Sequence, residues 1–159
     1  MIGFSVKKIQ RRVRPDLVSK YVGVPVANVS DCMSRISAGG ASLRPMHVQG
    51  TYLAGPAFTV KTRPGDNLMV HKALDMAAPG DVVVVDAGGD RTNAIVGEIM
   101  MAYARSRGLA GGIINGAIRD YATISSQNFP VFAMGVTHRG PYRDGPGEIG
   151  TSIAIDGMV

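Results

Sequence analysis

At 159 residues the chain has single-domain length, enough to bury a core without disulfides or structural metals. A hydrophobic content of 45% against 18% charged residues excludes a disordered or fibrous chain, a single cysteine excludes an internal disulfide, and no apolar run reaches the roughly 18 residues of a membrane span. The net charge of +5 sits at one end, where Lys7, Lys8, Arg11, Arg12, Arg14 and Lys20 face only Asp16.

This basic arm, about residues 1–20, has no apolar signal stretch, no aromatic interleaving and no nucleic-acid module signature. It reads as a solvated leader or a subunit contact, with no nucleic acid or membrane expected as partner. Pro15 and Asp16 suit the first turn of a short helix over 15–21, and Pro25 opens a second one through Val29, Cys32 and Met33. The lone Cys32 is expected in the core, and its reduced state fits a cytoplasmic protein. Thr51 to Leu53 and Ala57 to Lys61 read as strands around Gly55-Pro56, and Asn67 to Ala78 as a helix with Met69, Ala73, Met76 and Ala77 at helical spacing.

Val82-Val83-Val84-Val85 is a β-branched run suited to a strand buried on both faces. It ends in Asp86-Ala-Gly-Gly-Asp90, which is expected to turn into a helix from Thr92 to Arg107 with Ile95, Ile99, Ala102 and Tyr103 on one stripe. Gly112 to Asn115 follows as a buried strand, then a helix over 121–127, a strand over 131–134, a turn-rich stretch over 137–150 and a last strand near Ser152 to Ile155. Alternating strands and helices without a fixed repeat predict one α/β domain spanning 1–159.

Three features carry chemistry. The Asp86–Asp90 turn could hold an anion at a helix start, but it matches neither common nucleotide-binding loop and is equally a tight turn with Asp90 near the cap. Gly97 in a helix interior costs about 0.5 to 1 kcal/mol relative to alanine, which calls for close approach by another group or close backbone packing beside Glu98. Arg119-Asp120, just past a strand and Gly116, is either a helix-start acid beside an exposed base or a ligand pair at the strand mouth. A carboxylate next to a guanidinium there suits a divalent cation and a small acid, because cation and arginine share the ligand's negative charge. Of the histidines, His71 reads as structural, His47 has no informative neighbours, and His138 could line the site from a loop that also holds Arg139, Arg143, Asp144 and Glu148.

Twenty residues separate Glu98 from Arg119-Asp120. That spacing, with Val82-Val-Val-Val-Asp86, Gly88-Gly89, Gly97-Glu98 and Gly116-Ala-Ile-Arg-Asp120, resembles the family joining the class II pyruvate aldolases, typified by 4-hydroxy-4-methyl-2-oxoglutarate aldolase, to the regulator of ribonuclease E activity A. The similarity runs from roughly Val26 onward.

The resemblance implies a swivelling β/β/α domain that assembles as a trimer or dimer of trimers with sites between subunits. It implies Asp120 as ligand to Mg2+ or Mn2+, and Arg119 gripping the carboxylate and keto oxygen of a 2-oxo acid. Glu98 would hold a metal-bound water or assist proton transfer, while backbone around Gly97, Glu98, Ile99 and Met100 would bind the substrate. The activity implied is retro-aldol cleavage of a 4-hydroxy-2-oxo diacid to pyruvate, decarboxylation of oxaloacetate, or both. The alternative is a non-catalytic regulator docking on an RNA-processing enzyme such as ribonuclease E. Two departures follow: Thr123 stands where relatives often carry an acid, and relatives continue past Val159, so the C-terminal part of the family fold is expected to be missing.

Overall fold

The computed structural model describes residues 3–9, 12–34 and 39–159. In chain order the elements are β1 (Phe4–Val6), α1 (Pro15–Ser19), α2 (Val26–Cys32), β2 (Arg44–Pro45), β3 (Ala57–Thr62), α3 (Leu68–Met76) and β4 (Val82–Asp86). These are followed by β5 (Ala94–Val96), α4 (Glu98–Ser106), β6 (Gly111–Ile118), α5 (Tyr121–Ser125), β7 (Val131–Val136) and β8 (Gly147–Ile149). All eight strands join one mixed sheet in the order β1-β8-β3-β4-β6-β7-β2, with β5 attached to β6.

The centre of the sheet follows from residue type. Every residue of β4 is buried, as its β-branched run predicts for a strand covered on both faces. Strand β3 alternates instead, burying Phe58, Val60 and Thr62, and pairs in parallel with β4. Helix α3 buries Met69, Val70, Ala73 and Leu74 in the same core.

The site is positioned by the unequal lengths of β4 and β6. Along β6, strand β4 pairs only with the first half, Gly111 to Asn115, and the second half is taken by β5, with Ala94 opposite Ala117 and Val96 opposite Ile118. Gly116 lies at this change of partner, where a Cβ would come within 3.1 Å of Asp90 O. The helix expected from Thr92 therefore begins at Glu98. Ile95 and Val96 are captured by the vacant edge of β6, a tertiary pairing that overrides local helical spacing. The phase of the helix changes with its start: α4 buries Met100, Met101 and Ala104, while Ile99 and Tyr103 of the expected stripe are exposed.

Other expectations also change. Thr51 to Leu53 forms no strand, because the ladder begins at the Pro56 carbonyl, which accepts from Val82 N at 2.9 Å. The last strand is Gly147–Ile149, antiparallel to β3, rather than 152–155, where only Ile155 bridges to Met158. Cys32 is exposed, since α2 buries none of its residues. The basic arm is not simply a solvated leader. Phe4–Val6 adds an edge strand beside β8, and Arg12 pairs with the buried Asp81. Arg11 of the arm lies outside the described residues. No described helix is long and apolar enough to cross a membrane.

Candidate active site at the end of β6

Arg119 N donates to Val96 O at 3.0 Å, which fixes the end of β6 against the residue before Gly97. Gly97 is the N-cap of α4, with an extended backbone that any residue adopts. Its glycine is required by space, because a Cβ there would overlap Asp120 Oδ2 and lie 3.0 Å from Arg119 Nε. Gly97 therefore stands before the helix rather than in its interior, and of its two readings the close approach by another group is the one found, made by the arginine–aspartate pair.

Asp120 holds φ 56 and ψ 38, the left-handed region that non-glycine residues seldom enter and that Asp and Asn tolerate best. This conformation puts Oδ2 where it accepts from Glu98 N at 3.0 Å and lies 3.5 Å from Arg119 Nε. The carboxylate therefore sits on the positive end of α4. Oδ1 has no protein hydrogen bond among the described residues. Met101 N is the first α4 amide to reach a backbone acceptor, Gly97 O, so the Ile99 and Met100 amides are among those a helix start leaves open to an anion.

These groups line one cleft with about 440 Å³ of empty space opening to solvent, walled by Asn67, His71, Ile95, Gly97, Arg119 and Asp120 together with Pro141 and Arg143. The sequence-level candidates Gly97, Ile99, Met100, Arg119 and Asp120 all meet there. Glu98 contributes its backbone N–H, and its half-buried side chain is not part of the cleft wall. His138 lies outside the wall as well, while His71, read as structural, is in it.

Sequence reasoning missed Asn67, His71 and Arg143. Asn67 is 2% exposed and donates through Nδ2 to Ile95 O at 3.0 Å, which fixes its Oδ1 as an acceptor without a protein partner. His71 Nε2 is likewise unpartnered, and burial, assisted by the nearby Arg143 guanidinium, pushes the imidazole pKa below its usual value. The only available signal was position: Asn67 and His71 are four apart at the start of a predicted helix, one turn on the same face.

A metal here would rest on one protein carboxylate. Among the described residues no group of three His, Cys, Asp or Glu could enclose an ion. A single carboxylate with a vacant oxygen suits a hard dication that keeps most of its waters, and does not suit zinc, which takes three or four protein ligands.

The model of the RraA-like family, described as Aldolase/RraA, matches residues 26–159. The chain belongs to this family. It is 36% identical over 143 residues to a Halalkalibacterium halodurans protein named "Putative 4-hydroxy-4-methyl-2-oxoglutarate aldolase", covering 90% of this chain and 68% of that one. Among solved structures it resembles one described as S-adenosylmethionine: 2-dimethylmenaquinone methyltransferase from Geobacillus kaustophilus, at TM-score 0.77 and 30% identity over 85% of this chain and 83% of that one. Streptomyces coelicolor RraAS2, described as an unusual member of the RNase ES inhibitor RraA family, shares the fold at TM-score 0.83 and 22% identity, over 94% of this chain and 78% of that one. The mixed α/β sheet is therefore that of the RraA proteins.

Proposed function

We propose that this chain is a cytoplasmic, divalent-metal-dependent lyase that cleaves a 4-hydroxy-2-oxo diacid to pyruvate and decarboxylates oxaloacetate, working as a homotrimer or a dimer of trimers. One observation carries the reading: a left-handed aspartate, its neighbouring arginine and the open amides of a helix start converge on a single cleft. Membership of an aldolase-containing family supports it.

In this reading the planar Arg119 guanidinium receives the carboxylate and 2-oxo oxygen of the substrate through parallel N–H donors. The Ile99 and Met100 amides, at the positive end of α4, take the remaining carboxylate oxygen. Asp120, held in place by Glu98 N and by Arg119, would be the protein ligand for Mg2+ or Mn2+. When bound, the ion supplies a Lewis acid that draws charge from the 2-oxo carbonyl as the C3–C4 bond breaks. Glu98, adjacent to the cleft wall, would act on a proton through an intervening water. Gly97 leaves the space in which these groups meet.

The test is pyruvate release from oxaloacetate by the purified chain with and without a chelator. Magnesium-stimulated release that the chelator removes is the expected result, and release unaffected by the chelator contradicts the metal role. The rival reading, a regulator docking through its basic arm, is less favoured because Arg12 is tied to Asp81 and Arg14 to Asp16 within the chain.

A further inference from the structure

The cleft holds a second guanidinium that the reaction at Arg119 and Asp120 does not use. Arg143 lines the same cavity, and among the described residues it has no ion pair or hydrogen bond. Asp144, the next residue in sequence, and Asp66, which the loop packs against, are both engaged by Arg63, at 3.6 and 3.1 Å. Its positive charge is close enough to His71 to disfavour the imidazolium. The cleft therefore presents two arginines, one carboxylate and a neutral imidazole.

The loop that carries Arg143 is fixed on both sides. Ala94 N donates to Arg139 O at 2.8 Å, and Asn93 Nδ2 donates to Gly140 O. Tyr142 N donates to Gly65 O at 2.8 Å, and Tyr142 O in turn accepts from Asn67 N. Immediately after Arg143, the N–H groups of Asp144 and Gly145 donate to Oδ2 of the fully buried Asp66 at 2.8 and 2.9 Å. Asp66 spends one oxygen on Leu68 N and the other on these two amides and Arg63, so the turn after Arg143 is held from the buried interior. Here it sets an unpaired arginine at the mouth of the cleft, and binding a charge with a preset loop loses little entropy.

We infer that Arg143 is the specificity-determining residue that receives the second, distal carboxylate of a 2-oxo diacid whose pyruvyl end lies at Arg119. This rests on the proposed lyase reading and adds the group that separates diacids from monoacids of equal length. Asn67 Oδ1 and His71 Nε2, both unpartnered in the same wall, give the stretch between the two carboxylates a polar lining suited to a hydroxyl, which donates to Asn67 Oδ1 and accepts from a protonated His71 Nε2.

The experiment compares 2-oxoglutarate with 2-oxopentanoate, which has the same chain length without the distal carboxylate, by titration calorimetry in magnesium-containing buffer. The wild-type chain should bind 2-oxoglutarate about tenfold more tightly, as one charge-assisted contact provides. In Arg143→Gln the ratio of the two affinities should fall to near one, and Arg143→Lys should restore part of it. Equal wild-type affinity for the two acids, or a preference that survives in Arg143→Gln, overturns the assignment to Arg143 while leaving the lyase reading standing. If the wild type binds neither acid, the lyase reading fails and this inference falls with it.

Discussion

Arg12 meets both oxygens of Asp81 at 2.5 and 2.6 Å, and the same carboxylate accepts from Ala78 N at 2.8 Å. Arg119 approaches Asp120 at only 3.5 Å, through one oxygen, with the two side chains 43% and 36% exposed. The Asp81 side chain is 3% exposed. These two arginine–aspartate pairs differ in what they leave over. The first satisfies its carboxylate with protein donors and ties the N-terminal arm to the turn before β4. The second leaves one carboxylate oxygen without a protein partner among the described residues, and its aspartate sits in a strained backbone conformation. Strain of that kind costs about 1 to 3 kcal/mol and persists where the surroundings enforce it for a purpose.

The contrast can be broken most severely at Asp120. Asn keeps the tolerance for the left-handed backbone but loses the charge. Asp120→Asn should therefore lower metal-stimulated pyruvate release by at least about a hundredfold without unfolding the chain, as checked by circular dichroism. Arg119→Lys should cost about ten- to a hundredfold in kcat/KM, because an ammonium cannot reproduce the parallel donors; steady-state kinetics reads this directly. Gly97→Ala drives a methyl onto the Asp120 carboxylate, and about a tenfold loss of activity is expected with only a modest fall in Tm.

The structural pair answers in the opposite currency. Asp81→Ala strips Arg12 and Ala78 N of their acceptor, so denaturant titration should show about 2 kcal/mol less stability, while the folded fraction keeps its turnover. The smallest effect concerns His71. Its folded pKa lies below the unfolded value of about 6.5, so the unfolded chain takes up the proton first. The stability held by the neutral imidazole is complete above that value and is lost as pH falls through the lowered folded one. His71→Gln should flatten the fall in stability between pH 7.5 and 5.5, seen as a smaller shift of the unfolding midpoint than in wild type.

Much of the fold was legible because its centre obeys residue chemistry. The valine run of β4, the strand read over Ala57 to Lys61 and the proline-opened helices α1 and α2 all form where their residue types predict. What was not legible depends on partners distant in sequence. Ile95 and Val96 carry helical spacing and β-branched shape together, and only the free edge of β6 decides between them. The edge strands β1 and β2 are three and two residues long, too short for any period to register. Of the candidate site, Gly97 stood out as an unexplained glycine, while Arg119 and Asp120, left open by their own residue types, were singled out by the family resemblance. Arg143 could be named only as one charge in a glycine-rich stretch, because what sets it in the cleft is Asp66, seventy-seven positions earlier in the chain.

The central claim is that Asp120 anchors a divalent cation in this cleft. Titrating Mn2+ into the protein and following the free-ion signal by electron paramagnetic resonance measures that directly, without turnover. Wild-type protein should deplete the signal with one site per chain, and Asp120→Asn, folded as wild type, should not. Equal depletion by both proteins would place the ion elsewhere and contradict the account.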